Sequence, residues 1–585
     1  MTSRFKNSIY TSFALLALSC SFAFAQSGPE ARKPLTPVTE QMLKNPPASD
    51  WLLWRRTYDA WGYSPLDQIN KKNIKNLTVS WTWGLTSGAT EITPIVHDGV
   101  LFIFNNSDKI QALDATNGNL LWEYKRDLPR ALVAEGGNPL AKRSMAIFAD
   151  NLIVATSDAH LIALNVNTGK ITWDRAVADW TKGWRYTGGP LIADGKIFQG
   201  MTGCGNAQPG GCFISAHNIN DGAELWRFQS IAQPGEPGDE TWNGIPLKNR
   251  HGASVWNSGS YDVASNTLFF GVGQPYPWMA QMNGLLPKKE GMQNNGLYTD
   301  STLALNPQTG KLRWHFQHLP TDTWDLDYAY ERMLIDLPIN GVNRKVVVTV
   351  GKLGIIEVLD RETGEWLWHK ETIFQNVVQS IDSKTGKKTI HPEAMPQIGK
   401  TTVNCPADPG GRGWPATSYS PKTQMLYLPM TEFCSDTTPI PVEAGQLYLG
   451  GGRAIYARRA IPNSDGKVGS VRAVSLIDQK EAWSFKTRAP QTGAVLSTGG
   501  GLVFSGSLDR YVRAFDDQTG ALLWQIRTNN AVNSFPITYS VNGKQYVAVS
   551  VGNGSSQVTS LATLTPEIRN PDGSSTLWVF ALPEN

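Results

Sequence analysis

The sequence predicts an all-β fold, an eight-bladed β-propeller, on three observations. One turn-and-tryptophan unit recurs along the chain, short apolar strands lie between its copies, and no segment carries a convincing helical period. Six copies are complete: ALDATNGNLLW, ALNVNTGKITW, AHNINDGAELW, ALNPQTGKLRW, VLDRETGEWLW and AFDDQTGALLW, ending at Trp122, Trp173, Trp226, Trp314, Trp368 and Trp524. A seventh, AVSLIDQKEAW, ends at Trp483 with Gln479 in the glycine's place. NLTVSWTW supplies an eighth anchor, Trp81, without the turn.

Each element of the unit has a physical reason. Asp or Asn followed by Thr-Gly builds a tight turn in which glycine takes the positive φ that other residues resist. The strand after it ends in an indole large enough to wedge against the next unit. Between copies, runs such as GVLFIFN, NLIVATS, TLFFGVG, KVVVTVG and LVFSGS give about four strands per unit. Successive anchors stand 41, 51, 53, 88, 54, 115 and 41 residues apart, so most units have the length of one blade and two carry long insertions. The last strand, STLWVFAL, is expected to close the ring against the first sheet and remove an exposed edge. An unclosed solenoid is the rival architecture. Length alone suggests about four domains, but the repeat predicts one, spanning residues 26–585.

Composition agrees with this and excludes other classes. The 55 Gly and 35 Pro mark many turns, while charged residues at 18% disfavour disorder and long solvated helices. A net charge of +3 is no electrostatic footprint for nucleic acid. Residues 1–25 begin with Arg4 and Lys6, continue apolar and end Ala23-Phe24-Ala25, the pattern of an export signal cleaved near Ala25. No other stretch reaches 18 apolar residues, so no stable membrane anchor is expected. Beyond the signal stand Cys204, Cys212, Cys405 and Cys434. An even count in an exported chain suggests disulfides; of three possible pairings, that of sequence neighbours is expected, Cys204–Cys212 and Cys405–Cys434. With no C-x-x-C-H there is no covalent c-type haem in this sequence, and His315-x-x-His318 lacks further metal ligands nearby.

The Ala-x-Asp-x-x-Thr-Gly-x-x-x-Trp unit resembles the tryptophan-docking motif of quinoprotein dehydrogenases, over roughly residues 50–585. WRRTYDAWGYSPLDQINKKNIKNL is similar to that family's N-terminal signature, and FPITYSVNGKQYVAVSVGNG to its last-blade segment. Cys405 and Cys434, flanking GGRGW and YSPKTQMLYLP, resemble the long-loop disulfide of methanol/ethanol-type members. The resemblance implies a periplasmic alcohol dehydrogenase using pyrroloquinoline quinone (PQQ) and a bound metal, Ca²⁺ or a lanthanide, with a small alcohol as substrate and a separate cytochrome c as electron acceptor. It further implies Asp325, in WDLDYAYE, as the catalytic carboxylate that takes the alcohol proton while hydride goes to the quinone. Asp327 matches the additional Asp of lanthanide-dependent members, a hard oxygen donor suited to a trivalent ion.

For PQQ, a flat tricarboxylate, the resemblance implies Trp256 as the aromatic floor, Ser254 and Thr187 as hydrogen-bond partners, and Arg143 and Glu91 at the rim. Lys352 sits where many members have Arg and would approach the quinone oxygens as a point charge. There are departures. A metal-binding Glu is replaced within Gly203-Cys204-Gly205, and Gln274 stands for a metal-binding Asn. The vicinal cysteine pair is absent, and Gly413 occupies the place of a frequent cofactor-binding Asn. A small Cys204–Cys212 loop beside the cofactor is the expected local substitute, bringing Gly203 and Cys204 to it. Two rivals stay open: a dehydrogenase of sugars or other polyols, and a non-catalytic propeller resembling the outer-membrane assembly lipoprotein.

Overall fold

The computed structural model describes residues 32–134, 141–205, 209–278, 285, 295–339, 341–441 and 453–584. Leu35–Asn585 form one compact unit, and Met1–Pro34 a separate one. The export signal lies outside the described residues. Among the described residues no helix is long and apolar enough to cross a membrane.

Among the described residues eight sheets have four or five strands, paired antiparallel except that Tyr63–Ser64 joins Leu496–Thr498 in parallel. In the first, Ile95–His97, Val100–Asn105, Lys109–Asp114 and Leu120–Lys125 pair in order. Val100–Asn105 (VLFIFN) is buried at every residue, whereas Leu120–Lys125 alternates exposed and half-buried. That gradient is what a blade packed between two others requires: apolar on both faces inside, one face wet at the rim.

The tryptophan units dock as the sequence predicts. A Cβ added to Gly118 would stand 2.6 Å from Trp81, and one on Gly169 2.5 Å from Trp122. Gly222, Gly310, Gly364 and Gly520 lie as close to Trp173, Trp226, Trp314 and Trp483. Each indole thus packs flat on the next unit's turn, where no side chain fits. Several also donate to that turn, Trp122 Nε1 to the Val166 carbonyl at 2.8 Å and Trp226 Nε1 to that of Pro307 at 2.9 Å. The degenerate copy keeps the turn's backbone: Gln479 adopts φ 56°. Gly169→Ala meets both the indole and a φ of +68°, whereas Gly195→Ala, at φ +67°, meets nothing within 4 Å. The first is expected to cost about 2 kcal/mol and the second about 1 kcal/mol, measured by chemical denaturation.

The ring closes through the chain ends. Thr576–Ala581 pairs antiparallel with Thr78–Gly84 on one side and Lys544–Val551 on the other, so the strand carrying Trp81 becomes the outer strand of the last sheet. Trp524 Nε1 then reaches the Leu77 carbonyl at 3.1 Å, completing the circuit of dockings. The long insertion before Trp483 carries a hairpin, Val378–Ile381 with Lys388–Ile390, and a three-stranded sheet. Both expected disulfides are formed, Cys405–Cys434 inside that insertion and Cys204–Cys212 in the third unit. His318 of the H-x-x-H pair is wholly buried on Glu357 at 2.8 Å, and burial lowers its pKa to about 4.

Candidate active site

The propeller topology gathers residues far apart in sequence. Glu91, Arg143, Thr187, Trp256, the Asp325–Tyr330 segment and Trp414 each lie just before the first strand of their sheet, the same place in six sheets. Equivalent places face the ring's axis. All of them line one cavity of about 540 Å³, joined by Lys352, Asp408, Gly413, Ser555 and Gln557.

Trp256 forms its floor. The Arg143 guanidinium lies 4.7 Å from the indole centroid, and Tyr330 abuts it edge-on at 5.2 Å. Arg143 pairs with Glu91, whose other oxygen accepts from Ser555 at 2.7 Å. Thr187 donates to the Trp256 carbonyl at 3.3 Å. Trp256 Nε1 donates to Asp327 Oδ1 at 3.0 Å, which links the floor to the acidic segment.

Asp325 holds a left-handed backbone, φ 64°, uncommon for a residue with a side chain and found where structure is fixed for a purpose. Its Oδ1 accepts from Gln274 Nε2 and from Lys352 Nζ, both at 2.7 Å. Lys352 also reaches Asp327 Oδ2 at 2.9 Å. No hydrogen bond among the described residues engages Asp325 Oδ2, and the side chain is 20% exposed to the cavity. Burial first, then Asp408 and Asp327, push the Asp325 carboxyl well above its ordinary value, against the pull of Lys352. Burial works against the Lys352 ammonium, but Asp325 and Asp327 outweigh it and hold the amine protonated. Below lie two further buried carboxyls, Asp300 and Asp322, the latter raised to about 7 chiefly by burial.

Gln274 belongs to this cluster through its bond to Asp325, although it does not line the cavity. Ser254, Gly203 and Cys204 do not line it either. The Ser254 hydroxyl is taken by Tyr276 at 3.0 Å. Gly203 turns at φ +81° against the Gly183 carbonyl, and the Cys204–Cys212 bridge is wholly buried. The bridge therefore packs in the core instead of facing the cavity; Thr202 is the nearest residue of that stretch to do so. Arg185, Tyr330, Trp414, Ser555 and Gln557 escape the sequence reading. Their signal was position alone: each stands in or beside a segment already singled out.

These features suit a flat, anionic cofactor. The indole face opens on a cavity, and Arg143 Nε, Trp414 Nε1 and Gln557 Oε1, all lining residues, are buried without a hydrogen-bond partner. Such orphans call for a ligand or water. For a cation, Gln274, Asp325 and Asp327 offer hard oxygens, the Gln amide after a half-turn, in a cluster where Lys352 Nζ bridges the two carboxylates. Fold and site together define a β-propeller whose sheets bring equivalent residues to one polar, aromatic-walled cavity.

Comparison with known proteins agrees. The PQQ family profile described as "Glucose/ethanol/alcohol dehydrogenase, beta-propeller domain" matches residues 51–380 and 464–547. The unmatched interval falls in the insertion that carries Cys405–Cys434. The chain is 33% identical to the dehydrogenase subunit of the quinone-type alcohol dehydrogenase of Gluconacetobacter polyoxogenes, over 86% of this chain and 72% of that one. It is 30% identical to the quinoprotein alcohol dehydrogenase PedH of Pseudomonas putida, over 89% of each. The solved structure of a europium-containing methanol dehydrogenase superposes with TM-score 0.83 at 26% identity, covering 93% of this chain and 99% of that one. The chain belongs to the PQQ-dependent dehydrogenase family of β-propellers.

Proposed function

We propose that this protein is an exported, eight-bladed quinoprotein that oxidises a small alcohol to the aldehyde or ketone in the periplasm and passes electrons to a separate cytochrome c. The observation that carries the reading is Asp325: it is fixed by Gln274 and Lys352 through one oxygen and turns the other into the cavity above Trp256. The alcohol activities printed for the relatives support the substrate class. The sequence pattern of residues 1–25 supports export.

Bound PQQ supplies a two-electron acceptor for the hydride of the carbinol carbon. Trp256 would carry its ring, and Arg143 and Thr187 would meet its rim. Asp325, a cavity-lining carboxylate, would take the substrate's hydroxyl proton. Lys352 holds Asp325 and Asp327 in register and compensates their charge. Gln274, Asp325 and Asp327 would hold the cation, which supplies Lewis acidity next to the quinone. With the Glu ligand replaced around Cys204, Asp327 restores one anionic oxygen to the set.

The test is reconstitution with PQQ and either Ca²⁺ or La³⁺, followed by dye reduction with a panel of alcohols and polyols. Absence of cofactor absorbance and of activity with both metals would overturn the reading. Asp327→Ala is expected to lower La³⁺-supported kcat at least tenfold and Ca²⁺-supported kcat much less. Equal rates in the variant with both ions remove the role of Asp327 as a lanthanide ligand.

A further inference from the structure

Gly413 lies in the loop Gly410-Gly411-Arg412-Gly413-Trp414, on the cavity wall. Gly410 in the same loop has φ +94°, but Gly413 is outside the left-handed region, so its backbone does not demand glycine. Space does. A Cβ at 413 would stand 2.7 Å from both Nε2 and Oε1 of Gln557. Gln557 comes from the helix Ser556–Ala562, some 140 residues further along the chain, and places its amide where a side chain at 413 would begin.

That amide is poorly served by the protein. Gln557 is 6% exposed and lines the cavity, and no hydrogen bond among the described residues involves its side chain. Its Oε1 is fully sheltered and unpartnered, and so is the neighbouring Trp414 Nε1. A primary amide can donate twice and accept twice, and an unmet buried one is unfavourable until a ligand meets it. The wall beyond it is also polar: Ser555, two residues earlier, binds Glu91.

We propose that Gln557 is a cofactor-contacting residue, its amide hydrogen-bonding an oxygen on the rim of bound PQQ, and that residue 413 is glycine to leave that amide its place. The inference rests on PQQ binding in this cavity.

The experiment is a PQQ titration of the purified full chain, with Ca²⁺ or La³⁺ saturating, read by equilibrium dialysis and by quenching of tryptophan fluorescence. Apo-protein melting curves serve as the folding control. Gln557→Leu is expected to raise the PQQ Kd about tenfold, or about 1.4 kcal/mol. Gln557→Asn, one methylene shorter, should weaken binding in the same direction and covers the case that the leucine variant does not fold. Gly413→Asn alone should also weaken binding, by displacing Gln557. Combined with Gln557→Ala, it should return the Kd to within about threefold of wild type, because the amide is then supplied from the other side. A Kd unchanged in both folded Gln557 variants overturns the proposal, as does a double variant no better than Gly413→Asn. Failure of the wild-type chain to bind PQQ with either metal is a different result, and overturns the cofactor reading itself.

Discussion

Asp325→Asn is expected to lower kcat about 10³-fold in the PQQ-reconstituted enzyme, with a much smaller change in KM. Asparagine keeps the side chain's shape and one carbonyl oxygen for Gln274 and Lys352, so the cavity wall survives. What it lacks is a carboxylate able to take a proton from a substrate in the cavity, and positioned general bases contribute roughly 10²–10⁴-fold. The partition is the informative part: a transition-state role lowers kcat and kcat/KM together. Steady-state dye reduction over a range of alcohol concentrations measures it. A variant retaining more than about a tenth of the wild-type kcat would remove Asp325 from the proton step.

The largest expected loss of stability comes from Glu331→Gln. Glu331 ends the WDLDYAYE segment and is 1% exposed; it receives Arg412 Nη2 through both oxygens, the Thr417 amide at 2.9 Å and the Thr417 hydroxyl at 2.7 Å. Arg412 is equally buried, and Arg55 close by has its pKa lowered to about 10, first by burial and then by Arg412, with Glu331 opposing. Removing the carboxylate strands two interior cations, and breaking a buried pair from one side costs about 3–5 kcal/mol. Urea denaturation at neutral pH measures this. The pH dependence has a definite sign. Burial raises the Glu331 pKa, but Arg412 and Thr417 outweigh it and leave it below the ordinary 4.5. Its stabilisation is therefore complete above that value and is lost as pH falls through the depressed one. The glutamine variant should lack that part of the acid limb.

Much of this architecture is legible because its determinants are local and repeated. A turn that needs φ > 0, followed by an indole at fixed spacing, encodes both a strand pair and its neighbour, and even Gln479 keeps the turn. Glu91, Arg143, Thr187, Trp256 and Asp325 converge because each has the same place in its own repeat. Residues outside that grammar are silent. Ser555 and Gln557 sit on a short helix after the last-blade motif, and only the closed ring carries it to the loop around Gly413. Ser254 and Cys204 show the converse: their positions were foreseen, but side-chain direction depends on local backbone, here the turn at Gly203 and the hydroxyl of Tyr276.

The strand pairing that joins Thr78 to Ala581 has a consequence in time. Apart from the parallel pairing of Tyr63–Ser64 with Leu496–Thr498, the other main sheets are assembled from neighbours in sequence, but this one waits for the far end of the chain, and the tryptophan circuit stays open at Trp524 until it arrives. A nascent chain therefore presents an open arc with two sticky edges through nearly all of its synthesis. The act that seals the cylinder also brings Gly554, Ser555 and Gln557 against Ala89 and Glu91, so the cavity does not exist before the ring does. Any ligand of this cavity therefore binds only after the ring has closed.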